Sequence, residues 1–299
     1  MDSHVEDTSA HAVECVTPYL PETMKRLFAL LLAAGTLLGS RAWAQEAMSI
    51  GIVPYLTPNV LMTLFKPLRT HLEQDIGRSF DLYTSPDVRT FVSRIRKPDF
   101  DLVVTPAHMS RLAQQEVGYQ PLVRFNGPLR AAVVVARNAS QINRLEDLRG
   151  KHIAITDRSI LVNIAMLKTL SDIGLSEKDM QFVPVNSQNT GILAVARGDA
   201  DAAIIAHFTL DQSPPEQRVG VRVIHTSADL PNVMILAKKG MKPELAERLR
   251  NSLLHLPDTS GGKEFLQNSR FIGIQAVDEA FMKTLDPLMP ETRKQLNPG

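Results

Sequence analysis

Three short groups of polar residues each follow a predicted strand and open a predicted helix. They lie at 105–108, 157–160 and 187–190. The first turn of a helix has backbone N–H groups without partners and the positive end of the helix dipole, so it attracts anions. In open α/β sheets, strand ends of this kind meet at one crevice where ligands bind. The pattern therefore predicts one binding site for a small anion.

The candidate ligand-binding residues come from these groups and from two further strand ends. Arg158 would add a full positive charge, because a guanidinium binds oxyanions through two hydrogen bonds, unless it is only a surface arginine. The tyrosine and the two histidines of the set have an alternative role as packed turn or loop residues. The predicted set is Tyr55, Thr105, His108, Arg158, Ser159, Ser187, Gln188, Asn189, Thr190 and His207.

Short apolar strands alternate with amphipathic helices along the chain, which is the pattern of an α/β protein. Strands are predicted at 48–53, 80–83, 101–104, 131–136, 153–155, 182–185, 202–205, 221–224 and 233–237. Helices are predicted at 58–76, 86–97, 107–115, 160–173, 190–197, 243–256, 260–268 and 277–287. Asp157 or Ser159 is expected to cap the helix at 160–173, because their side chains can accept from its free N–H groups. Residues 118–125 are expected to connect the two halves.

The first 44 residues resemble an export signal preceded by an extra segment. A basic Met24-Lys25-Arg26 precedes the apolar run 27–35, and Ala42-Trp43-Ala44 has the small-x-small pattern of a cleavage site. This order predicts a signal peptide at 24–44 that is cleaved after Ala44. Residues 1–23 are interpreted as a translation start placed too far upstream. The alternative is a true N-terminal extension with an internal signal anchor.

Composition excludes several classes of protein for the remaining 255 residues. Residues 1–44 hold the only cysteine, Cys15, three of the 33 Lys and Arg and five of the 32 Asp and Glu. The rest therefore has no thiol, and its formal net charge is +3. This charge is too small and too dispersed to indicate nucleic-acid binding. No sequence motif indicates a catalytic site, a cofactor or a metal.

Several motifs in fixed order resemble one family of exported binding proteins. They are 51–55 (GIVPY), 100–106 (FDLVVTP), 147–151 (DLRGK), 194–203 (AVARGDADAA) and 230–232 (LPN). Together they resemble the phosphate/phosphite/phosphonate-type periplasmic solute-binding proteins of ABC transporters. The resemblance implies an α/β, two-lobed periplasmic-binding-protein fold (type II), each lobe a mixed sheet flanked by helices, with the ligand between the lobes.

The resemblance also implies domain boundaries and a hinge. Lobe 1 is expected at 45–128 and 232–299, and lobe 2 at 129–231. The chain would cross between the lobes near 126–131 and again near 226–233. Ligand binding would then close the cleft by hinge motion.

The ligand loop departs from the motif of the phosphonate-binding relatives. Their loop reads roughly Asp-Pro-x-Ser-Thr-Ser-Gly, whereas residues 157–163 read DRSILVN. Ile160 and Leu161 stand where hydroxyl side chains are expected. The sequence thus favours an oxyanion-like ligand other than a simple alkylphosphonate.

The function predicted from the sequence is delivery of a small anionic ligand to an ABC importer from the periplasm. The partners would be that ligand and an ABC permease, and the protein would be a monomer. A ligand-sensing protein that reports to a histidine kinase is the alternative. An enzyme on the same scaffold is a third possibility, against which the missing catalytic motif argues.

Overall fold

The computed structural model describes residues 46–296. The predicted signal peptide and residues 1–23 lie outside this range. The strands are β1 Met48–Ile52, β2 Phe80–Tyr83, β3 Leu102–Pro106, β4 Gln120–Asn126, β5 Ala131–Ala136, β6 His152–Ile155, β7 Gln181–Pro184, β8 Ala202–Ala206, β9 Val221–Thr226, β10 Val233–Ala237 and β11 Gly273–Ala276. The helices are α1 Pro58–Ile76, α2 Val88–Arg96, α3 Ala107–Val117, α4 Leu161–Asp172, α5 Gln188–Arg197, α6 Thr209–Gln212, α7 Pro215–Val219, α8 Pro243–His255, α9 Ser260–Ser269, α10 Glu279–Lys283 and α11 Met289–Leu296.

The first sheet has six strands in the order β11-β4-β10-β3-β1-β2. β1 pairs in parallel with both β2 and β3, as expected where helices connect the strands. β10 returns to this sheet and runs antiparallel between β3 and β4, and β11 adds an antiparallel edge. We call this sheet and its helices the first lobe.

The second sheet has five strands in the order β7-β6-β8-β5-β9. β6 is parallel to β7 and β8, whereas β5 is antiparallel to β8 and β9. We call this sheet and its helices the second lobe. The predicted α/β fold of two lobes, each with a mixed sheet flanked by helices, is confirmed.

The central strands owe their position to continuous apolar sequence. Every residue of β3 and β8 is buried, and only the last residue of β5 is partly exposed. Strands covered by helices on both faces have such runs, whereas a strand with one wet face alternates. The same burial fixes where these strands end, and hence where the helices that follow them begin.

Two connections join the sheets. The chain leaves the first sheet after β4 and enters the second at β5, then returns between β9 and β10. In these connections Leu129 and Leu230 form an antiparallel bridge, and the Asn232 amide donates to the Gly127 carbonyl at 3.1 Å. The predicted boundaries at 128/129 and 231/232 fall in these connections and stay a prediction, as does the hinge.

Two strands of the first sheet were not predicted. Residues 118–125 were expected to be a connection, but 120–126 form β4, with Leu122, Val123 and Phe125 buried. β11 has the sequence GIQA and only partly buried residues before a terminal exposed one. Pairing with β10 and β4, respectively, stabilises these segments. None of the helices within 46–296 has the length and hydropathy needed to cross a bilayer.

Candidate functional site

The strand ends of the two lobes meet at one place, where helix starts from both lobes make direct contacts. The Gln188 backbone N–H donates to the Tyr55 carbonyl at 2.9 Å. The Thr57 backbone N–H donates to Asn189 Oδ1 at 3.1 Å, and the Asn189 amide nitrogen lies 3.3 Å from Thr57 Oγ1. These bonds join the start of α1 in the first lobe to the start of α5 in the second lobe. The lobes are therefore in a closed arrangement.

His108 forms a second link between the lobes. Its ring is fully buried at the start of α3, and Nε2 lies 2.7 Å from the Ser159 carbonyl oxygen. Because a carbonyl only accepts, Nε2 carries the proton of a neutral ring. Burial lowers the pKa of His108 to about 4, against the smaller opposing effect of the Ser159 carbonyl. His108 therefore contributes hydrogen bonding without positive charge at neutral pH.

Helix α4 begins with apolar residues. Ile160 occupies the N-cap and offers no side-chain acceptor, and Leu161 and Val162 follow in the first turn. The prediction that Asp157 or Ser159 caps this helix is wrong. Asp157 Oδ1 accepts instead from the Ser159 backbone N–H at 2.8 Å, which stabilises the turn before the helix.

The predicted polar group at the start of α5 is mostly engaged with the chain itself. The Ser187 hydroxyl caps the helix through the Thr190 backbone N–H and also contacts the Thr190 hydroxyl at 2.7 Å. Gln188 Oε1 accepts from the Ala206 N–H at 2.8 Å and from the Thr209 hydroxyl at 2.5 Å. These side chains fix the shape of the site, whereas their role toward a ligand stays a prediction.

Among the predicted residues that are fully buried, three have polar atoms without a hydrogen-bond partner in the described chain. They are the Thr105 hydroxyl, His108 Nδ1 and the Ser159 hydroxyl. All three residues are fully buried. Unsatisfied buried polar groups are costly and rare, so a cluster of them is typical of a binding site.

Arg158 lies apart from this group. Its guanidinium pairs with Glu177 at 2.8 Å and lies 4.8 Å above the ring of Phe182, and its side chain is 41% exposed. These contacts belong to the outer part of the second lobe. The predicted role of Arg158 in binding an anion stays a prediction, and its contacts favour the alternative of a surface arginine.

His207 also has partners within its own lobe. Its Nδ1 accepts from the Arg130 backbone N–H at 3.2 Å, and its ring packs on Phe208 with centroids 5.2 Å apart. Partial burial lowers the pKa of His207, so the ring tends to be neutral.

An inner chamber of about 30 Å³ lies where the helix starts meet. It is lined by Val53, Tyr55, Pro106, Leu129, Ile160, Leu161, Val162, Gln188, Ala206, Phe208 and Val233. None of these residues is charged, and nine have apolar side chains. The sequence placed Ile160 and Leu161 in the ligand loop but did not indicate the rest of the apolar lining, including Phe208, which directly follows the predicted residue His207. The chamber has the character of an apolar subsite with few polar groups.

An outer groove of about 480 Å³ lies beside the chamber. It is lined by Asn59, Val60, Thr63, Leu64, Asp211, Gln212, Glu264, Gln267, Asn268 and Arg270. Two contacts between the lobes lie in this region: Arg270 pairs with Asp211 at 3.3 Å, and the Gln212 amide donates to the Ser269 carbonyl at 2.8 Å. Arg270 adopts φ of 63°, which costs energy for a residue other than glycine.

Tyr55 and Gln212 stand between the chamber and the groove. Burial raises the pKa of the Tyr55 hydroxyl, and the nearby Gln212 side chain opposes this effect in part. Neither the Tyr55 hydroxyl nor Gln212 Oε1 has a partner of good hydrogen-bond geometry within residues 46–296. The edge of the Tyr55 ring packs against Phe208, with centroids 6.4 Å apart. Two polar atoms are thus held at the edge of an apolar space.

The chamber is lined by uncharged residues, and the described residues form no cluster of metal ligands. No group of three or more His, Cys, Asp or Glu within 46–296 could hold a metal ion. Burial favours the neutral form of His108, and no carboxylate lines the chamber. The arrangement can enclose a small solute and hydrogen-bond to it.

Two solved structures of binding proteins share this architecture. PhnD1 from Prochlorococcus marinus, solved in complex with methylphosphonate, matches with a TM-score of 0.75 and 14% identity over 84% of this chain and 98% of that one. A binding protein component of an ABC phosphonate transporter from Pseudomonas aeruginosa matches with a TM-score of 0.74 and 15% identity, over 85% and 89%. At these identities the likeness shows the fold.

A curated Haemophilus influenzae protein, whose name assigns it to thiamine biosynthesis, is 27% identical over 210 residues. The match covers 67% of this chain and 62% of that relative's length. A family model matches residues 50–281, and its description reads ABC transporter, phosphonate, periplasmic substrate-binding protein. This match spans most of the chain, including both sheets and the cleft between them. The chain therefore belongs to the family of periplasmic substrate-binding proteins of phosphonate-type ABC transporters.

Proposed function

We propose that the protein captures a small solute between its lobes in the periplasm and delivers it to the permease of an ABC importer. The observation that carries the proposal is the set of contacts between the lobes around the inner chamber. Hydrogen bonds link Thr57 to Asn189 and His108 to Ser159 across the cleft. Family membership supports the same reading.

The proposed mechanism depends on the relative stability of an open and a closed arrangement of the lobes. A solute that contacts both lobes binds the closed arrangement more tightly than an open one, so it shifts the population toward closure. Closure excludes water and buries the solute among the helix starts. A permease that recognises the closed surface would then select loaded protein. The protein acts by binding, without chemical change of the solute.

Thermal unfolding in the presence of candidate solutes tests the binding step. The sequence predicts an anionic solute, so the panel includes phosphate, methylphosphonate and an alkanesulfonate, and the Haemophilus relative adds thiamine. Neutral amides and amino acids complete it. At least one solute is expected to raise the unfolding temperature, because a ligand bound only to the folded state stabilises it. A panel without any stabilising solute would count against the proposal.

Substitutions with matched chemistry locate the binding site. Ala206 lines the chamber and is 3% exposed, whereas Ala280 is exposed on α10. Ala206→Phe would fill the chamber and is expected to abolish the thermal shift. Ala280→Phe should leave it unchanged. The unfolding temperatures of both variants without solute show whether they remain folded.

Uptake distinguishes the importer from the sensor. A strain that lacks the gene should lose import of the stabilising solute and recover it on complementation. Normal import combined with loss of a solute-induced transcriptional response would instead favour a partner histidine kinase. A histidine kinase sensor domain does share the fold, with a TM-score of 0.53 and 16% identity.

Export is tested at the N-terminus. The signal features at 24–44 lead us to expect that protein recovered from the periplasm begins at Gln45. N-terminal sequencing or intact mass measurement checks this. Intact chain held in the inner membrane would contradict the proposed cleavage.

A further inference from the structure

We infer that two arginines of the first lobe, Arg89 and Arg270, act as clasps that stabilise the closed arrangement of the lobes before a solute binds. Each arginine pairs with an aspartate of the second lobe. This role rests on the proposed function and concerns the regulation of the same cleft. The two arginines are positioning residues, because they act on the lobes and do not line the inner chamber.

The first clasp joins helix α2 to the loop that follows β6. Arg89 lies in the first turn of α2, and its Nε is 3.3 Å from Asp157 Oδ2. Asp157 also accepts the Ser159 backbone N–H through Oδ1, so the loop holds this carboxylate in place. The Asp157 side chain is 19% exposed. Water therefore screens this pair less than a fully exposed one.

The second clasp joins the end of α9 to α6. Arg270 Nε lies 3.3 Å from Asp211 Oδ2, and beside this pair the Gln212 amide donates to the Ser269 carbonyl at 2.8 Å. Two consecutive residues of one lobe thus contact two consecutive residues of the other. Arg218 of the second lobe also lies 3.9 Å from Asp211 Oδ1 and shares its charge. Rotation of one lobe away from the other would separate α9 from α6, so both contacts belong to the closed arrangement.

The charges of the two clasps are complementary between the lobes. Both cations belong to the first lobe, and both carboxylates belong to the second. Charges of opposite sign on two facing surfaces favour the approach of those surfaces. Because the pairs form only in the closed arrangement, they lower its free energy relative to the open one and raise its population.

The backbone at Arg270 is of a kind that favours glycine. Arg270 ends α9 with φ of 63°, in the left-handed region, whereas helices α1, α3 and α5 end in this region at glycines. A residue with a side chain costs free energy at such a position. Helix α9 therefore gains nothing locally from an arginine here. The side chain supplies the contact with the second lobe instead.

Arg89 is also unfavourable for the helix that carries it. A cation in the first turn meets the positive end of the helix dipole, where acidic side chains are stabilising. Helix α2 has Asp87 as its N-cap but no acidic residue in the first turn. Arg89 thus shares with Arg270 a local cost and a partner in the other lobe. Such departures from local preference are typical of residues that are retained for function.

Distances between the lobes test the clasps without any solute. Spin labels on Lys263→Cys of α9 and Glu216→Cys of α7 report the separation of the lobes, because both positions are exposed. Cys15→Ser removes the only native thiol of the chain. This labelled parent should show a closed component without solute. Arg270→Gly and Arg89→Ala should each reduce its closed-to-open ratio by about two- to fivefold, the range of an exposed ion pair. A parent without a closed component, or variants with an unchanged ratio, would overturn the inference.

Folding stability separates a clasp from a merely structural residue. Arg270→Gly relieves the backbone at the end of α9, so its denaturation midpoint should equal or exceed that of the parent although its closed fraction falls. Arg250→Ala is the matched control. Arg250 pairs with Glu247 within α8 at 2.8 Å, so its loss should leave the closed-to-open ratio unchanged. A midpoint of Arg270→Gly that falls with its closed fraction, or an equal effect of Arg250→Ala on the ratio, would contradict the role of a clasp.

Salt provides a second readout of the same distances. The screening length falls from about 30 Å at about 0.01 M salt to about 3 Å at about 1 M. The closed-to-open ratio of the parent should fall over this range, and a variant without both arginines should change less. An equal dependence on salt in both proteins would count against the clasps. If the clasps fail while a solute of the panel stabilises the protein, the proposed function stands. If no solute stabilises it, the proposed function fails whatever the distances show.

Discussion

At the scale of single residues, the buried His108 joins the two lobes and makes the stability of the protein depend on pH. Its folded-state pKa of about 4 lies below the ordinary value of 6.5. Between these two values the unfolded chain binds the proton and the folded chain does not. Stability is therefore full above about pH 6.5 and falls as the pH decreases toward about 4.

Replacement of His108 should flatten this dependence. The full effect of the His108 shift corresponds to about 3 kcal/mol, lost between these two pH values. Denaturant unfolding of wild type and His108→Asn at pH 7 and pH 5 measures it. His255→Asn serves as the control, because His255 is exposed on α8. Identical losses in wild type and His108→Asn would show that His108 is not buried in neutral form.

Arg158 gives a residue-scale prediction on binding. Its guanidinium contacts Glu177 and Phe182 and is 41% exposed, so Arg158→Ala should leave the affinity of a stabilising solute within about twofold. The lost surface ion pair should cost at most about 1 kcal/mol of folding free energy. Calorimetry measures the affinity, and denaturant unfolding measures the folding free energy. A loss of affinity of tenfold or more would restore Arg158 as an anion-binding residue.

The hydrogen-bond partners of several site residues could not be predicted from local sequence, because these partners are distant in the chain. Gln188 was predicted to face a ligand, and its backbone does lie at the meeting point of the lobes. Its side-chain oxygen, however, holds Ala206 and Thr209, 18 and 21 residues away. His108 meets the carbonyl of Ser159, 51 residues away. Polar residues at a helix start indicate well which part of the chain lies at the site. They do not show whether their hydrogen-bond partner is a solute or the chain itself.

At the scale of elements, helix α9 depends on one close contact at its start. The Thr259 hydroxyl accepts from the Gly262 N–H at 2.9 Å and donates to the Leu256 carbonyl at the same distance. A side-chain carbon on Gly262 would lie 1.6 Å from that carbonyl oxygen. The end of this helix carries Ser269 and leads directly into Arg270, both of which contact the second lobe. The start of α9 therefore positions one of the contacts between the lobes.

Neighbouring glycines provide a matched pair for this element. Gly262→Ala should destabilise the protein by about 2–4 kcal/mol, because the helix must shift away from Leu256. Gly261→Ala meets only Pro67, at 3.9 Å, and should stabilise by up to about 1 kcal/mol because alanine favours a helix. Denaturant unfolding compares the two. Similar stabilities of the two variants would mean that the turn at Leu256 can move aside without loss of folding free energy.

The sequence predicts the strongly patterned elements and misses those that depend on tertiary pairing. β5 and β8 are uninterrupted apolar runs, and their positions were predicted within a residue. β4 begins with Gln120-Pro121 and alternates irregularly, so its strand character appears only beside β10 and β11. β11 lies at the edge of the sheet and has few residues to bury. Short edge strands carry little local signal.

At the scale of the whole molecule, the structure is a closed arrangement held by contacts between the lobes. Hydrogen bonds at α1–α5, at His108 and at Gln212, with ion pairs at Asp157 and Asp211, join the two sheets. Each exposed contact of this kind contributes little free energy. Binding of a solute can therefore shift the equilibrium between the open and closed forms. The two connections near Gly127 and Asn232 are the only covalent links between the sheets within the described residues, and they are the proposed hinge.

Solution scattering tests the central claim, which is that this cleft closes on a small solute. The radius of gyration of the purified protein is measured alone and at saturation with the solute that gives the largest thermal shift. We expect a larger radius without the solute than with it, and a scattering profile at saturation that matches the closed arrangement of residues 46–296. An unchanged radius at saturation with a tightly bound solute would contradict closure of the cleft.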